Sequence, residues 1–240
     1  MSIKAADVAK LRKATGAGMM DCKKALVESN GDFDAAVEII RKKGMAIANK
    51  RADREATEGV VLAKVSDDKK KGAIITLNCE TDFVAKNEGF VDFATKILNI
   101  ALENMPADLE ALKALDMEGR TIAEQVTEQT GIIGEKLELS YFDKVEAESV
   151  IAYIHAGNKL STLIGFNKAL EEQMAKDVAM QAAAMAPIAI CEEEVPADVV
   201  AKELEIGKEK ARLEGKPEQI LDKIAQGRLG KFFKEVTLLN

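Results

Sequence analysis

Histidine is nearly absent from these 240 residues, His155 being the only one, and no cluster of Cys, His or carboxylates accompanies it in sequence. A metal-binding or general-base role for it therefore has little support. The three cysteines, Cys22, Cys79 and Cys191, are odd in number, far apart and free of CxxC pairing. That excludes a disulfide framework and zinc spacing, and fits small buried hydrophobes in a reducing cytosol. No apolar run approaches the roughly 18 residues needed to span a bilayer, and the opening "MSIKAADVAKLRK" lacks the apolar core of a secretory signal. The expected location is cytoplasmic, with no membrane partner. The glycines of "TGAGMM" (residues 15–20) invite comparison with a phosphate-cradling loop, but the G-K-[ST] ending is missing and no strand precedes them. A helix–helix turn is the better reading. With no nucleophile motif either, an enzyme with its own cofactor or metal is disfavoured against a protein that acts by binding.

What is present is an ordinary globular composition, 47% apolar and 31% charged, enough for one large domain and a small one. The net charge of −7 is unevenly spread. Residues 1–54 carry 12 Lys or Arg against 7 Asp or Glu, so the remainder is strongly acidic. Nucleic-acid binding would call for interleaved aromatics, and Phe33 is the only one in that basic stretch. Solvated helix faces and a protein partner with acidic patches account for it better, with no direct nucleic-acid contact.

The chain opens with three short helices. Val8 and Leu11 mark the first, Cys22, Ala25 and Leu26 the second, and Phe33, Ala36, Val37 and Ile40 the third, which Gly44 is expected to end. Residues 1–46 form this small, tethered module, and 47–58 read as a charged linker with helical potential. A core half follows over 59–148. "GVVLAKVSDDKKKGAIITLNCE" is a β-hairpin, "FVDFATKILNIALENM" a helix, Leu109–Leu115 and Ile122–Thr130 two weaker helices, and "KLELSYFDKV" a strand. A second half, 149–240, repeats the design: "SVIAYIHAGNKLSTLIGFN" is again strand, Gly-Asn turn and strand, and "LEEQMAKDVAMQAAAMA" again a helix. Within it, residues of about 197–228 read as a charged antiparallel helical hairpin with a narrow apolar stripe through Val200, Leu204, Gly207 and Ala211, then Ile220, Leu221 and Ile224. The class is α+β.

Aligning the copies sets Asn78 on Asn167 and Phe93 on Met174, 15 residues apart in the first copy and 7 in the second. The eight additional residues fall in the loop containing "TDFVAKN". The shorter copy indicates that the fold does not need them, and a long loop on a rigid scaffold is where function is expected. Residue types alone favour Asp82 as a helix N-cap and Phe83 as a core residue of that loop.

Two long segments reverse that preference. "LRKATGAGMMDCKKAL" followed by "CETDFVAKNEGF" strongly resembles bacterial translation elongation factor Ts, the nucleotide exchange factor for the GTPase elongation factor Tu. The resemblance runs through the whole chain, including "YIHAGNKLSTLIG" and "EGKPEQILDKIAQGRLGKFFKEV". It implies a UBA-like N-terminal module, a duplicated core and a projecting arm. It further implies that Thr81, Asp82, Phe83 and Val84 insert beside the partner's nucleotide site and disturb its Mg²⁺. Leu11, Met19, Met20 and Lys23 would lie where the module packs on the GTPase domain, and His155 would sit on a hairpin facing the partner's outer domains. Family members with this arm usually continue past a strand-like segment such as "EVTLLN" into a further strand and helix that return to the core and touch the partner; any such contact lies beyond these 240 residues.

Overall fold

A computed structural model describes residues 3–239. They form two compact units, divided after Glu171. The first opens with helices α1 (Ala5–Thr15), α2 (Met19–Glu28) and α3 (Phe33–Lys50). Their turns follow from local chemistry. Gly16 caps α1 at φ 69°, in the left-handed region that favours glycine. The side chain of Asp32 accepts the Ala35 N–H at 2.9 Å to start α3. Val8, Leu11, Cys22, Ala25, Leu26, Ala36 and Ile40 bury together as the module's core.

Gly44 does not end α3. The helix runs on to Lys50, taking in the start of the expected linker, and Gly44 is buried at a helix crossing instead. It meets Gly131 of α7 (Ile122–Ile133), where an added Cβ on Gly131 would stand 2.2 Å from the Gly44 Cα. The pair of glycines lets the two backbones touch, so the module is docked along α7 and is not a loosely tethered unit. Arg41 and Arg120 flank the crossing, both turned to Glu128.

Strands β1 (Glu58–Val65), β2 (Lys71–Cys79) and β5 (Glu138–Glu146) make an antiparallel sheet in the order β1-β2-β5. Between β2 and β5 lie α4 (Asp82–Ala85), α5 (Glu88–Asn104), α6 (Leu109–Ala114), the two-residue strands β3 (Asp116–Met117) and β4 (Arg120–Thr121), and α7. Ala73, Ile75, Leu77 and Cys79 alternate along β2 on the face that α5 covers with Phe90, Ala94, Ile97, Leu98 and Ala101. The second hairpin, β6 (Ser149–Ile154) and β7 (Ser161–Phe166), lies against the same sheet. Gly72 makes room for it: a Cβ there would come 2.5 Å from Leu163 and 2.9 Å from Val150. Its turn is fastened to β1, the Val61 N–H reaching the Asn158 carbonyl at 2.7 Å and Ser161 Oγ the Val61 carbonyl at 2.7 Å.

The second unit contains α8 (Glu172–Met185), α9 (Ala197–Leu213) and α10 (Leu221–Val236). α9 and α10 pair through small residues, Gly207 lying on Ala225 with Ala211, Leu221 and Leu229 buried beside them. Gly215, at φ 73°, and Pro217 shape the turn. "EVTLLN" is not a strand from its start. α10 continues through Val236, and only then do Thr237 to Leu239 lie beside Ile188 to Ile190 in a short parallel contact. The interval between second strand and helix is longer in the first copy, but by three residues and not by the expected eight: residues 80–87 separate β2 from α5, eight against the five (167–171) that separate β7 from α8.

The Gly44–Gly131 contact predicts that Gly131→Ala forces α3 and α7 apart. The urea midpoint should fall by the equivalent of about 1–3 kcal/mol, as for other overpacked contacts. An unchanged midpoint would mean that the crossing is looser than the structure has it.

Candidate functional site

The "TDFV" segment sits where β2 leaves the sheet. Thr81, not Asp82, caps the single-turn helix α4, its Oγ1 accepting the Val84 N–H at 3.4 Å. Asp82 is the first helical residue and pairs with Lys86 at 2.6 Å. The Lys86 ammonium, with Lys159 further off, holds the Asp82 carboxyl below its ordinary range, so it is anionic at neutral pH. Val84 and Ala85 turn inward against the core. Phe83 turns outward and is 84% exposed, the most exposed large apolar side chain among the described residues. It is therefore not a core residue of the loop.

The backbone that carries the ring is held from several sides. Thr81 donates its N–H to Glu135 Oε2 at 3.0 Å and its hydroxyl to Glu135 Oε1 at 2.7 Å. Its carbonyl accepts from the Cys79 thiol at 3.2 Å and from the Ala85 N–H at 3.2 Å. Burial, with Glu135 nearby, pushes that thiol up to about 11, so it serves as a buried donor and not as a reactive thiolate. One residue earlier, Glu80 Oε1 accepts from the Lys136 N–H at 2.6 Å and from Arg51 Nη1 at 2.7 Å. Those two donors, the backbone amide first, pull the Glu80 carboxyl below its ordinary value.

Glu80, Glu135, Arg51 and Lys136 were not singled out in the sequence. Gly134, left-handed at φ 81°, signals that α7 stops and the chain turns there. Nothing local announces that the next residue reaches Thr81, 54 positions away.

The other expected contact residues divide. Met19 and Met20 are 59% and 64% exposed at the start of α2, and with Lys23, Ile3, Val8 and Ala9 they line a groove of about 400 Å³. Leu11 does not join them: it is fully buried in the module's core, where it holds the helices that present the methionines. His155 is exposed at the end of β6, its Nδ1 2.7 Å from the Tyr153 hydroxyl. From the same turn Lys159 reaches Glu58 at 2.7 Å.

The family model described as Elongation factor TS matches residues 80–240. Elongation factor Ts of Christiangramia forsetii is 56% identical over 99% of this chain and 87% of its own length. That of Flavobacterium psychrophilum is 56% identical over 100% of the chain, and that of Porphyromonas gingivalis 54% over 100%, each again over 87% of its own length. The chain belongs to the elongation factor Ts family. It is thereby a translation elongation factor. Among the described residues, no helix is long and apolar enough to cross a membrane.

Two stability outcomes follow. Phe83→Ala should change stability by no more than about 0.5 kcal/mol, as at ordinary surface positions; a loss of several kcal/mol would show the ring buried. Glu80 has a folded-state pKa below its ordinary 4.5, so it contributes stability above that value which is lost as pH falls through the lowered one. The stability gap between wild type and Glu80→Gln should be full at neutral pH and close on acidification; a gap independent of pH would refute the clamp.

Proposed function

We propose that this chain is a guanine nucleotide exchange factor: it binds elongation factor Tu carrying GDP, perturbs the partner's Mg²⁺ site and promotes GDP release so that GTP can rebind. It performs no chemistry of its own, uses no cofactor and works in the cytoplasm. The observation that carries this reading is Phe83, an aromatic ring 84% exposed at the tip of an anchored loop. Covering that ring with a partner removes apolar surface from water, which favours association.

The physical route is through the metal's geometry. Mg²⁺ demands near-ideal octahedral oxygen coordination. A ring wedged among the partner's supporting helices shifts those ligands without touching the nucleotide, and the anionic Asp82 beside it adds a charge that the metal's surroundings must accommodate. Met19 and Met20 supply an adaptable apolar surface on the basic module.

Linkage fixes what the whole interface must deliver. If the chain weakens GDP by some factor, GDP weakens the chain on its partner by the same factor. A change of about four decades corresponds to about 5.5 kcal/mol, whereas burying one Phe side chain supplies about 1.5–3 kcal/mol. The remainder has to come from the module and the second hairpin, where His155 is exposed.

Stopped-flow release of fluorescent GDP from elongation factor Tu tests the proposal. The chain should accelerate release. Phe83→Ala should lower the plateau rate by roughly tenfold or more, about 1.4 kcal/mol per decade, and Asp82→Ala should lower it too. Both deficits should shrink when EDTA has already removed Mg²⁺. Met19→Ala with Met20→Ala should instead raise the half-saturating concentration. Wild-type release with Phe83→Ala would sink the reading.

A further inference from the structure

We propose that Arg51 and Glu135 are positioning residues for Phe83, joining the loop that carries it to the C-terminal ends of α3 and α7. The inference rests on the exchange reading above and extends it to residues that act through the backbone carrying the ring.

α4 is a single turn of four residues. A helix that short has no stability of its own in water, because nucleation is not repaid by propagation. The direction in which Phe83 points is therefore set by whatever holds the residues before it. Glu135 takes both the N–H and the hydroxyl of Thr81, and Arg51 holds Glu80. Glu135 follows the end of α7 by one turn residue, Gly134, and Arg51 is the residue directly after α3. The two helices are fixed to each other where Gly131 meets Gly44.

α3 also begins in the module, with Ala36 and Ile40 in the core shared by α1 and α2. One continuous helix thus runs from the element that presents Met19 and Met20 to the side chain that grips Glu80. The methionine surface and the Phe83 ring stand on one frame, at a separation set before any partner arrives. Preorganisation of this kind spares the ordering cost of binding and concentrates its effect on the step that the ring performs.

The test is a double-mutant cycle read by stopped-flow release of fluorescent GDP from elongation factor Tu, with wild type, Glu135→Ala, Phe83→Ala and the double variant across a range of concentrations. Glu135→Ala should lower the plateau rate by roughly tenfold, the scale of loss expected when a working group is misplaced by less than an ångström. The half-saturating concentration should change much less. Glu135→Gln, which keeps one acceptor for the Thr81 amide, should retain part of the rate, and it carries the same cycle if the alanine variant fails to fold. Once Phe83 is alanine, the Glu135 substitution should have no further effect. Arg51→Ala should follow the same pattern, with Arg51→Lys partly restoring the rate. An undiminished Glu135 effect in the Phe83→Ala background, or no effect in its presence, overturns the positioning role while leaving the exchange reading intact. Wild-type release with Phe83→Ala alone overturns both.

Discussion

The residue on which the site depends is Thr81, and the interaction is its two-point hold on Glu135. An exposed aromatic ring on a flexible loop would fold back onto the nearest apolar surface, since collapse is favourable wherever the backbone allows it. Here the backbone does not allow it. Thr81 is bound through N–H, hydroxyl and carbonyl, and Ala85 is buried on the far side of the turn. Phe83 lies between two fixed points and has nowhere to go but outward. Charge supports the geometry: both acceptor oxygens belong to the Glu135 carboxylate, and hydrogen bonds to a carboxylate are the stronger kind.

Small residues do the complementary work at longer range. Gly44 and Gly131 bring α3 and α7 into backbone contact, and Gly72 lets the second hairpin settle on the sheet beneath Val150 and Leu163. Each of these positions lacks a side chain because another element occupies the space. The module's own core is modest, eight buried apolar residues, and a core of that size is marginal alone. Docking on α7 stabilises it and fixes where its methionines face.

Much of this was legible in the sequence, for reasons that can be named. Apolar periodicity in "FVDFATKILNIAL" pointed to α5, two β-rich runs around a polar turn pointed to β1 and β2, and the unequal copies located the loop before any contact was known. Two local rules misled. Gly44 has the look of a helix stop, but it serves a close approach inside a longer helix. Asp82 has the look of a cap, but Thr81 precedes it and takes the role. Leu11 shows a different limit. The resemblance carried by "LRKATGAGMMDCKKAL" made it a contact residue, yet such a segment mixes residues that face outward with residues that hold it together, and Leu11 is buried. The clamp itself was out of reach, because Glu135 and Arg51 are distant from Thr81 and Glu80 in sequence and ordinary in composition.

The central claim is that Phe83 is exposed because its backbone is rigid, and amide hydrogen exchange on the isolated chain tests it most directly. The Thr81 amide, covered by the Glu135 carboxylate, and the Ala85 amide, bonded to the Thr81 carbonyl, should exchange slowly, together with the amides of β2. Exchange of Thr81 and Ala85 at the rate of a free peptide, with β2 still protected, would mean that the loop is loose and would contradict the account.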